Sequence, residues 1–409
     1  MSAALTGIRV LDLSRVLAGP WATQTLGDLG AEIIKIERPG VGDDTRTWGP
    51  PDVRDAGYSA YYASTNRNKR SVAVDMAMPE GRELLLALAQ KSDVLVENFK
   101  VGGAARHGLD YTTLSKLNPR LIYCSITGFG QTGPYAPRAG YDAMIQGMGG
   151  LMSITGKRND EAGSSPQKVG VAVVDLTTGL YAAIAILAAL VQRGQTGRGQ
   201  YIDLSLLDVS VALLANQGMN FLTTGVAPER RGNAHPNIVP YQDFQTQDGW
   251  IMLAIGNDAQ FAHFCRCAER EAWSSDPCFA TNPQRVANRT LLVPLITEIM
   301  KTRSTRAWLG LLEAAGVPCG PINNVAEVFA DLQVVSRGLH VEIPAVPASA
   351  TAPGRTVPSI ASPLRLSASP VNYRLPPPAL GAHTREVLGE ILGLSAAQLD
   401  ALAQQGAIA

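Results

Sequence analysis

Asp175 is the side chain best placed to do chemistry. It lies in "KVGVAVVDLTTGLYAAIAILAAL", where a short apolar, β-branched run (Val169 to Val174) meets a long apolar helical run (Leu180 to Val191). A carboxylate at such a junction suits an N-cap, whose oxygen takes the first free N–H groups of a helix. It also suits an oxygen nucleophile. The positive end of a helix favours the ionised form by about 0.3–1 kcal/mol, and apolar flanks would exclude water from such a nucleophile.

An aspartate near its reference pKa of about 3.9 is ionised at neutral pH and able to attack a carbonyl carbon. Such attack needs donors for the developing oxyanion. The backbone around Gly256 and Asn257, in "AIGND", reads locally as a turn after the Trp250–Ile255 strand.

The elements that must position Asp175 read as a parallel α/β sheet. "IRVLDL" is a strand, "RVLAGP" a loop, "WATQTLGDLGA" a helix and "EIIKIE" a second strand. "SVAVDM", "DVLVEN" and "LIYCSITGFG" repeat the strand-to-loop pattern, with a helix that carries Pro79 and Glu80 in its first turn. In such sheets ligands bind at the loops beyond the strand C-termini. The first of these loops, Leu17-Ala18-Gly19-Pro20, lacks the GxGxxG fingerprint, and Pro20 has no N–H to offer a pyrophosphate. The sheet is therefore expected to be Rossmann-like without a dinucleotide site.

From about Met219 the character changes. "PYQDFQTQDGWIMLAIG" predicts a hairpin around Gln247-Asp248-Gly249, followed by helices in "NRTLLVPLITEIMKT" and "STRAWLGLLEAAG". Residues 221–330 are expected to form a smaller α+β domain. A Pro-, Ser- and Ala-rich connection over about 340–378 then leads to two short closing helices, the second capped by Ser395.

Composition excludes several classes. With 35 basic and 35 acidic side chains the formal net charge is zero, which argues against a nucleic-acid partner. The cysteines (124, 265, 267, 278 and 319) have no CxxC spacing, so neither a zinc site nor a disulfide framework is expected, and free thiols fit a cytoplasmic protein. The N-terminus lacks the pattern of a signal peptide. The longest apolar run, Ala182 to Val191, is too short to span a bilayer and predicts a buried helix rather than a membrane contact.

Eight ordered blocks together carry a family resemblance. They include "GIRVLDLSRVLAGPWATQTLGDLGAEIIKIERPGVGDDTR", "NRNKRSVAVDM", "DVLVENFKVGGAARHGLDY", "LIYCSITGFGQTGP", "AGYDAMIQGMGG", "DLTTGLYAAIAILAAL", "TGRGQYIDLSLLD" and "PPPALGAHTREVL". In these the chain resembles the class III CoA-transferases of the CaiB/BaiF type, which include formyl-CoA transferase and the α-methylacyl-CoA racemases. "GDDTRTWGPP" and "GVPCGPINNV" are most similar to the branch that moves CoA between succinate and glutarate or related dicarboxylates.

The resemblance implies an interlocked-ring homodimer. Its Rossmann-like, CoA-binding large domain would be built from 1–220 and 331–409, with the small domain at 221–330. It makes Asp175 the acyl acceptor, working through an acyl-aspartyl anhydride and an aspartyl-CoA thioester. An acyl-CoA and a carboxylic acid would be the substrates, with no tightly bound cofactor, metal or ATP. It aligns the backbone N–H groups around Gly256 and Asn257 with a glycine loop that covers the nucleophile and would supply oxyanion donors, and it places Leu17 and Ala18 against the pantetheine arm. Arg38, Asn98, Phe99, Lys100 and Arg106 match its CoA contacts, and Arg138 is a further cation near a phosphate.

Tyr141 stands where the racemases carry a histidine. A phenol of pKa about 10 is a poor acid–base partner at neutral pH, so Tyr141 favours transfer over racemisation. A non-catalytic CoA-binding protein is the third reading. Arg46 is expected to pair with the distal carboxylate of a diacid, the alternative being a loop salt bridge to Asp43 or Asp44. His235 is a second candidate for substrate contact.

Overall fold

In a computed structural model of the chain, which describes residues 3–346 and 355–409, the chain divides into two compact units. The larger holds Met1–Leu151, Lys168–Gly225 and Gln333–Ala409; the smaller holds Met152–Gln167 and Val226–Leu332. The segment Met152–Gln167 thus joins the smaller unit, although its sequence position suggested the larger.

The larger unit is built on a six-stranded parallel sheet of β1 (Arg9–Asp12), β2 (Glu32–Glu37), β3 (Lys69–Ala73), β4 (Val94–Glu97), β5 (Ile122–Thr127) and β6 (Tyr201–Ser205). Their spatial order is β3-β2-β1-β4-β5-β6. Register runs Val10↔Ile33 across β1–β2 and Val10↔Val94 across β1–β4. This is the strand order of the dinucleotide-binding fold, and its switch point lies between β1 and β4. Helices cover both faces, so the strands read as continuous apolar runs. Val10, Val94, Ile122 and Cys124 face one core; Leu11, Ile34, Leu95 and Tyr123 face the other.

Helices of the larger unit include α1 (Ala18–Asp28), α2 (Pro79–Gln90), α3 (Asp142–Met148) and α4 (Val173–Thr196). Helix α1 begins inside the stretch expected to be loop. Pro20 is tolerated there because a first-turn N–H has no intrahelical acceptor. Against it packs α4, and the approach is close. A Cβ at Gly179 would fall 2.6 Å from the Ala18 carbonyl oxygen.

Helix α4 is longer than its apolar run suggested. Its 24 residues would suffice, by length and composition alone, to cross a membrane. One face, with Ala182, Ala183, Ile186 and Ala189, is packed into the core. The other is not buried, contrary to expectation: Leu180, Tyr181, Ile184 and Val191 are exposed.

In the smaller unit β7 (Tyr241–Gln245) and β8 (Trp250–Ala254) form the expected hairpin, and β9 (Cys319–Pro321) extends it to three antiparallel strands. Phe244, Leu253, Phe261, Leu292 and Trp308 pack its own core. The proline-rich connection carries an antiparallel pair, β10 (His340–Val346) and β11 (Arg355–Ile360), in the larger unit; positions 347–354 of that connection lie outside the described residues. The closing helices are Thr384–Leu392 and Ala396–Gln405, the latter with a capping box of Ser395 and Gln398.

Candidate active site

Asp175 is not the helix cap. It is the third residue of α4, whose N-cap position is Ala172. The capping carboxylate comes from Asp142, 33 residues earlier. Its Oδ1 accepts the N–H groups of Val174 (2.8 Å) and Asp175 (3.2 Å), and its Oδ2 accepts the Gln146 amide (2.6 Å). Gln146 in turn accepts the Val169 N–H at 2.9 Å. With capping done by Asp142, the Asp175 carboxylate accepts no hydrogen bond among the described residues and stays available for chemistry.

Burial, and then the charge of Asp142, push the Asp175 carboxyl up to about 7. The sequence-based expectation of an ordinary carboxylate is therefore corrected. At neutral pH the nucleophile is only partly ionised. Turnover should rise with pH through about 7 and level off above it, because the protonated acid cannot attack. Asp142→Asn keeps an acceptor for the helix but removes the neighbouring charge. A kcat–pH profile of that variant should show its acid limb moved to lower pH; an unmoved limb would contradict the coupling.

Asp175 opens on a cleft of about 220 Å³ at the β1–β4 switch point. Leu17 and Ala18 line it from the start of α1, and Asn98, Phe99 and Lys100 from the loop after β4. Arg138 and Tyr141 line the opposite part, Tyr141 with two-thirds of its surface exposed. The structure thus brings together eight of the residues singled out from sequence. Arg38 and Arg106 are exposed and are not part of the cleft lining.

Asn98 acts on the chain itself. Its Oδ1 accepts the Arg15 N–H (2.9 Å) and its Nδ2 donates to the Arg15 carbonyl (2.7 Å), clamping the β1–α1 loop across the switch point. Arg138 lies over the rings of Phe129 and Tyr135, at 5.2 and 4.7 Å.

The loop it clamps is strained. Val16 sits at φ +70°, the left-handed region that β-branched residues avoid. Its N–H faces both oxygens of Asp43, at 3.3 Å each. Beneath the loop lie six buried charges, three acidic and three basic. Lys69 pairs with Asp12 (3.2 Å), Lys35 with Asp43 (2.9 Å) and Arg46 with Glu37 (2.7 Å). The two lysines also donate to main-chain carbonyls of the loop and helix, Lys35 to Ser14 and Lys69 to Pro20, both at 3.0 Å. Burial pulls the Asp43 carboxyl upward, but Lys35 and the Thr45 N–H hold it well below the usual range. These groups fix the backbone that forms one wall of the cleft.

Arg46 belongs to this foundation, which corrects its expected role. Its guanidinium forks onto Glu37 (2.8 and 2.7 Å), donates to the Tyr62 hydroxyl and the Pro378 carbonyl, and lies 3.9 Å from the Tyr62 ring centroid. The salt bridge is real, but its partner is neither Asp43 nor Asp44, and the side chain is taken up before any diacid could reach it.

Tyr61 was missed from sequence. Burial, and then the charge of Asp175, raise its phenol to about 12, which places an undissociated hydroxyl in the field of the nucleophile. Its ring meets Trp48 edge-on at 5.3 Å. Only the fold connects residue 61 with residue 175, so no local signal could have found it.

The remaining candidates lie on the smaller unit. The Gly256 N–H is already bonded to Gln260 Oε1 (2.8 Å), and the Asn257 side chain caps the helix Asp258–Cys267. The Gly256 N–H is thus taken up within a turn, whereas the cap engages Asn257 only through its side-chain oxygen and leaves the Asn257 N–H uncommitted among the described residues. His235 Nδ1 accepts the Asn237 N–H at 3.1 Å, and burial followed by Arg289 lowers its pKa. Its local role is in a turn.

A carboxylate in a cleft at the switch point of a parallel sheet defines the class, an α/β enzyme. Comparison with known proteins gives the family. The model of CoA-transferase family III matches residues 5–384, and the chain belongs to that family. It is 50% identical to a succinate–glutarate CoA-transferase of Agrobacterium fabrum, over 95% of each chain. It is 46% identical to a human succinyl-CoA:glutarate CoA-transferase, over 95% of this chain and 86% of the human one. A CaiB/BaiF family protein from Brucella suis, known from a crystal structure, superposes with a TM-score of 0.83 at 47% identity, covering 96% of this chain and 100% of that one.

Proposed function

We propose that this CoA-transferase takes coenzyme A from succinyl-CoA and gives it to glutarate or a closely related dicarboxylate, with Asp175 as the covalent acyl acceptor. One Asp175 oxygen attacks the thioester carbonyl, the C–S bond breaks, and a mixed anhydride and the CoA thiolate form. The thiolate attacks the Asp175 carbonyl, releasing succinate and leaving an aspartyl-CoA thioester. The incoming carboxylate displaces CoA to form a second anhydride. The thiolate then attacks the new acyl carbon, which restores Asp175. Acyl activation is conserved at every step, so no ATP is needed.

The observation that carries this reading is the unbonded, semi-buried Asp175 carboxylate on a helix capped by another residue. The substrate choice rests on the two relatives. Leu17, Ala18, Phe99, Lys100 and Arg138 line the cleft and support CoA binding there. Tyr141 in place of a histidine supports transfer over racemisation. Arg38 and Arg106 remain candidates only for the more solvent-exposed nucleotide end.

A panel assay tests the substrates. Succinyl-CoA is offered with glutarate, hydroxymethylglutarate, itaconate, malate, oxalate or formate, and the new thioesters are measured. Glutarate or hydroxymethylglutarate should lead; a preference for formate or oxalate would overturn the dicarboxylate assignment.

The exposed apolar face of α4 (Leu180, Tyr181, Ile184 and Val191), together with exposed Met219, Phe221 and Leu222, supports a homodimer, the face of α4 covered by a second copy. Light scattering should then give twice the chain mass, and a monomer at micromolar concentration would refute this. The five cysteines are free thiols, which supports a cytoplasmic location.

A further inference from the structure

The smaller unit contains a cavity of about 670 Å³ that the transfer chemistry leaves unused. Four arginines line it: Arg158, Arg230, Arg231 and Arg289. The carboxylates on its wall are Asp160 and Glu229, so four positive charges face two negative ones, a surplus of two. Only Arg158 is paired, with Asp160 at 2.7 Å and more loosely with Glu161 at 3.9 Å. Among the described residues, Arg230, Arg231 and Arg289 have no carboxylate within ion-pair distance.

Two of these guanidinium groups are nonetheless held in place by uncharged acceptors. Arg230 donates to the Lys157 carbonyl and the Ser164 hydroxyl, each at 3.2 Å. Arg289 donates to the Pro236 carbonyl at 2.7 Å. Arg231 donates to no described group. Burial, and the like charges of Arg231 and Arg158, push the Arg289 guanidinium below its usual value. Three of the four cations around this cavity of small-molecule size thus have no carboxylate partner among the described residues. The planar fork of arginine is matched by carboxylate and phosphate oxygens alike.

We infer that this cavity binds a multiply charged oxyanion, a dicarboxylate or a phosphoryl group, between Arg158, Arg231 and Arg289. Its lining residues all belong to the smaller unit, whereas Asp175 belongs to the larger. It also gives His235 a place in the molecule, since the His235 carbonyl accepts from Arg289 and its ring titrates in that arginine's field.

The test uses the full chain carrying Asp175→Asn, so that no turnover occurs, in a buffer free of phosphate and sulfate. Binding of glutarate and of inorganic pyrophosphate is measured by calorimetry, and the His235 ring signal is followed by NMR. Binding of one probe is expected, with the His235 titration moved to higher pH as the anion offsets Arg289. Adding Arg158→Gln and Arg231→Gln, two changes at exposed positions, should weaken that binding by about tenfold or more. A response to glutarate alone assigns a carboxylate site, and a response to pyrophosphate alone a phosphoryl site. No binding, or binding unchanged by the two substitutions, overturns the inference. Asp175→Asn stops turnover but leaves the transfer cleft able to bind, so the site is assigned only by the binding that Arg158→Gln and Arg231→Gln weaken; binding at the transfer cleft is unmoved by them.

Discussion

Asp175→Asn is expected to reduce CoA transfer by at least about a thousandfold, the scale on which covalent enzymes fail when the nucleophile is lost. The amide is nearly isosteric. It leaves the Asp142 cap of α4 in place, because that cap binds main-chain N–H groups and not the side chain at 175. Folding and CoA binding should therefore survive while chemistry stops, a split between kcat and binding that a structural role for Asp175 would not produce. Incubating wild-type enzyme with succinyl-CoA and ¹⁸O-labelled acceptor acid should carry label into the Asp175 carboxyl, detected by peptide mass mapping. Full activity in the amide variant, or the absence of label, would remove the covalent route. Family membership would be untouched by either result.

Arg46→Ala should instead cost stability. The Arg46–Glu37 pair is almost wholly buried, with side-chain exposures of 6% and 1%. Removing the cation strands the Glu37 carboxylate. It also empties a space between Tyr62 and Pro378. Breaking one side of such a pair costs about 3–5 kcal/mol, so the chemical denaturation midpoint should fall well below that of the wild type. Any residual activity should decline equally for glutarate and butyrate as acceptors. A selective loss for glutarate, with stability unchanged, would restore Arg46 to the substrate and contradict the structure.

Much of the fold was legible. Strands buried on both faces leave uninterrupted apolar runs such as "DVLVEN" and "LIYCSIT", and their turns mark the ends. Asp175 was legible as the nucleophile from its junction and its company. Its capping role was misread because the true cap, Asp142, is contributed by a different helix, and N-cap propensity is a local signal. Its pKa was misread for the same reason, since burial is a property of the assembled core. Arg46 illustrates the problem in charge pairing. Its sequence neighbours Asp43 and Asp44 were the obvious partners, while the fold turned it toward Glu37 at the end of β2. Gly256 and Asn257 fit an oxyanion loop by resemblance, yet the structure takes up the Gly256 N–H within its own turn, a bond to Gln260 that only the folded turn reveals.

The six-charge foundation beneath the cleft has an evolutionary consequence. Asp12, Lys35, Glu37, Asp43, Arg46 and Lys69 sum to neutrality in a water-poor layer. A change at one position leaves a naked ion, whereas a matched exchange of both partners can be nearly harmless. Homologues that diverge here should therefore do so by compensated double replacements, and lineages caught between the two should be rare.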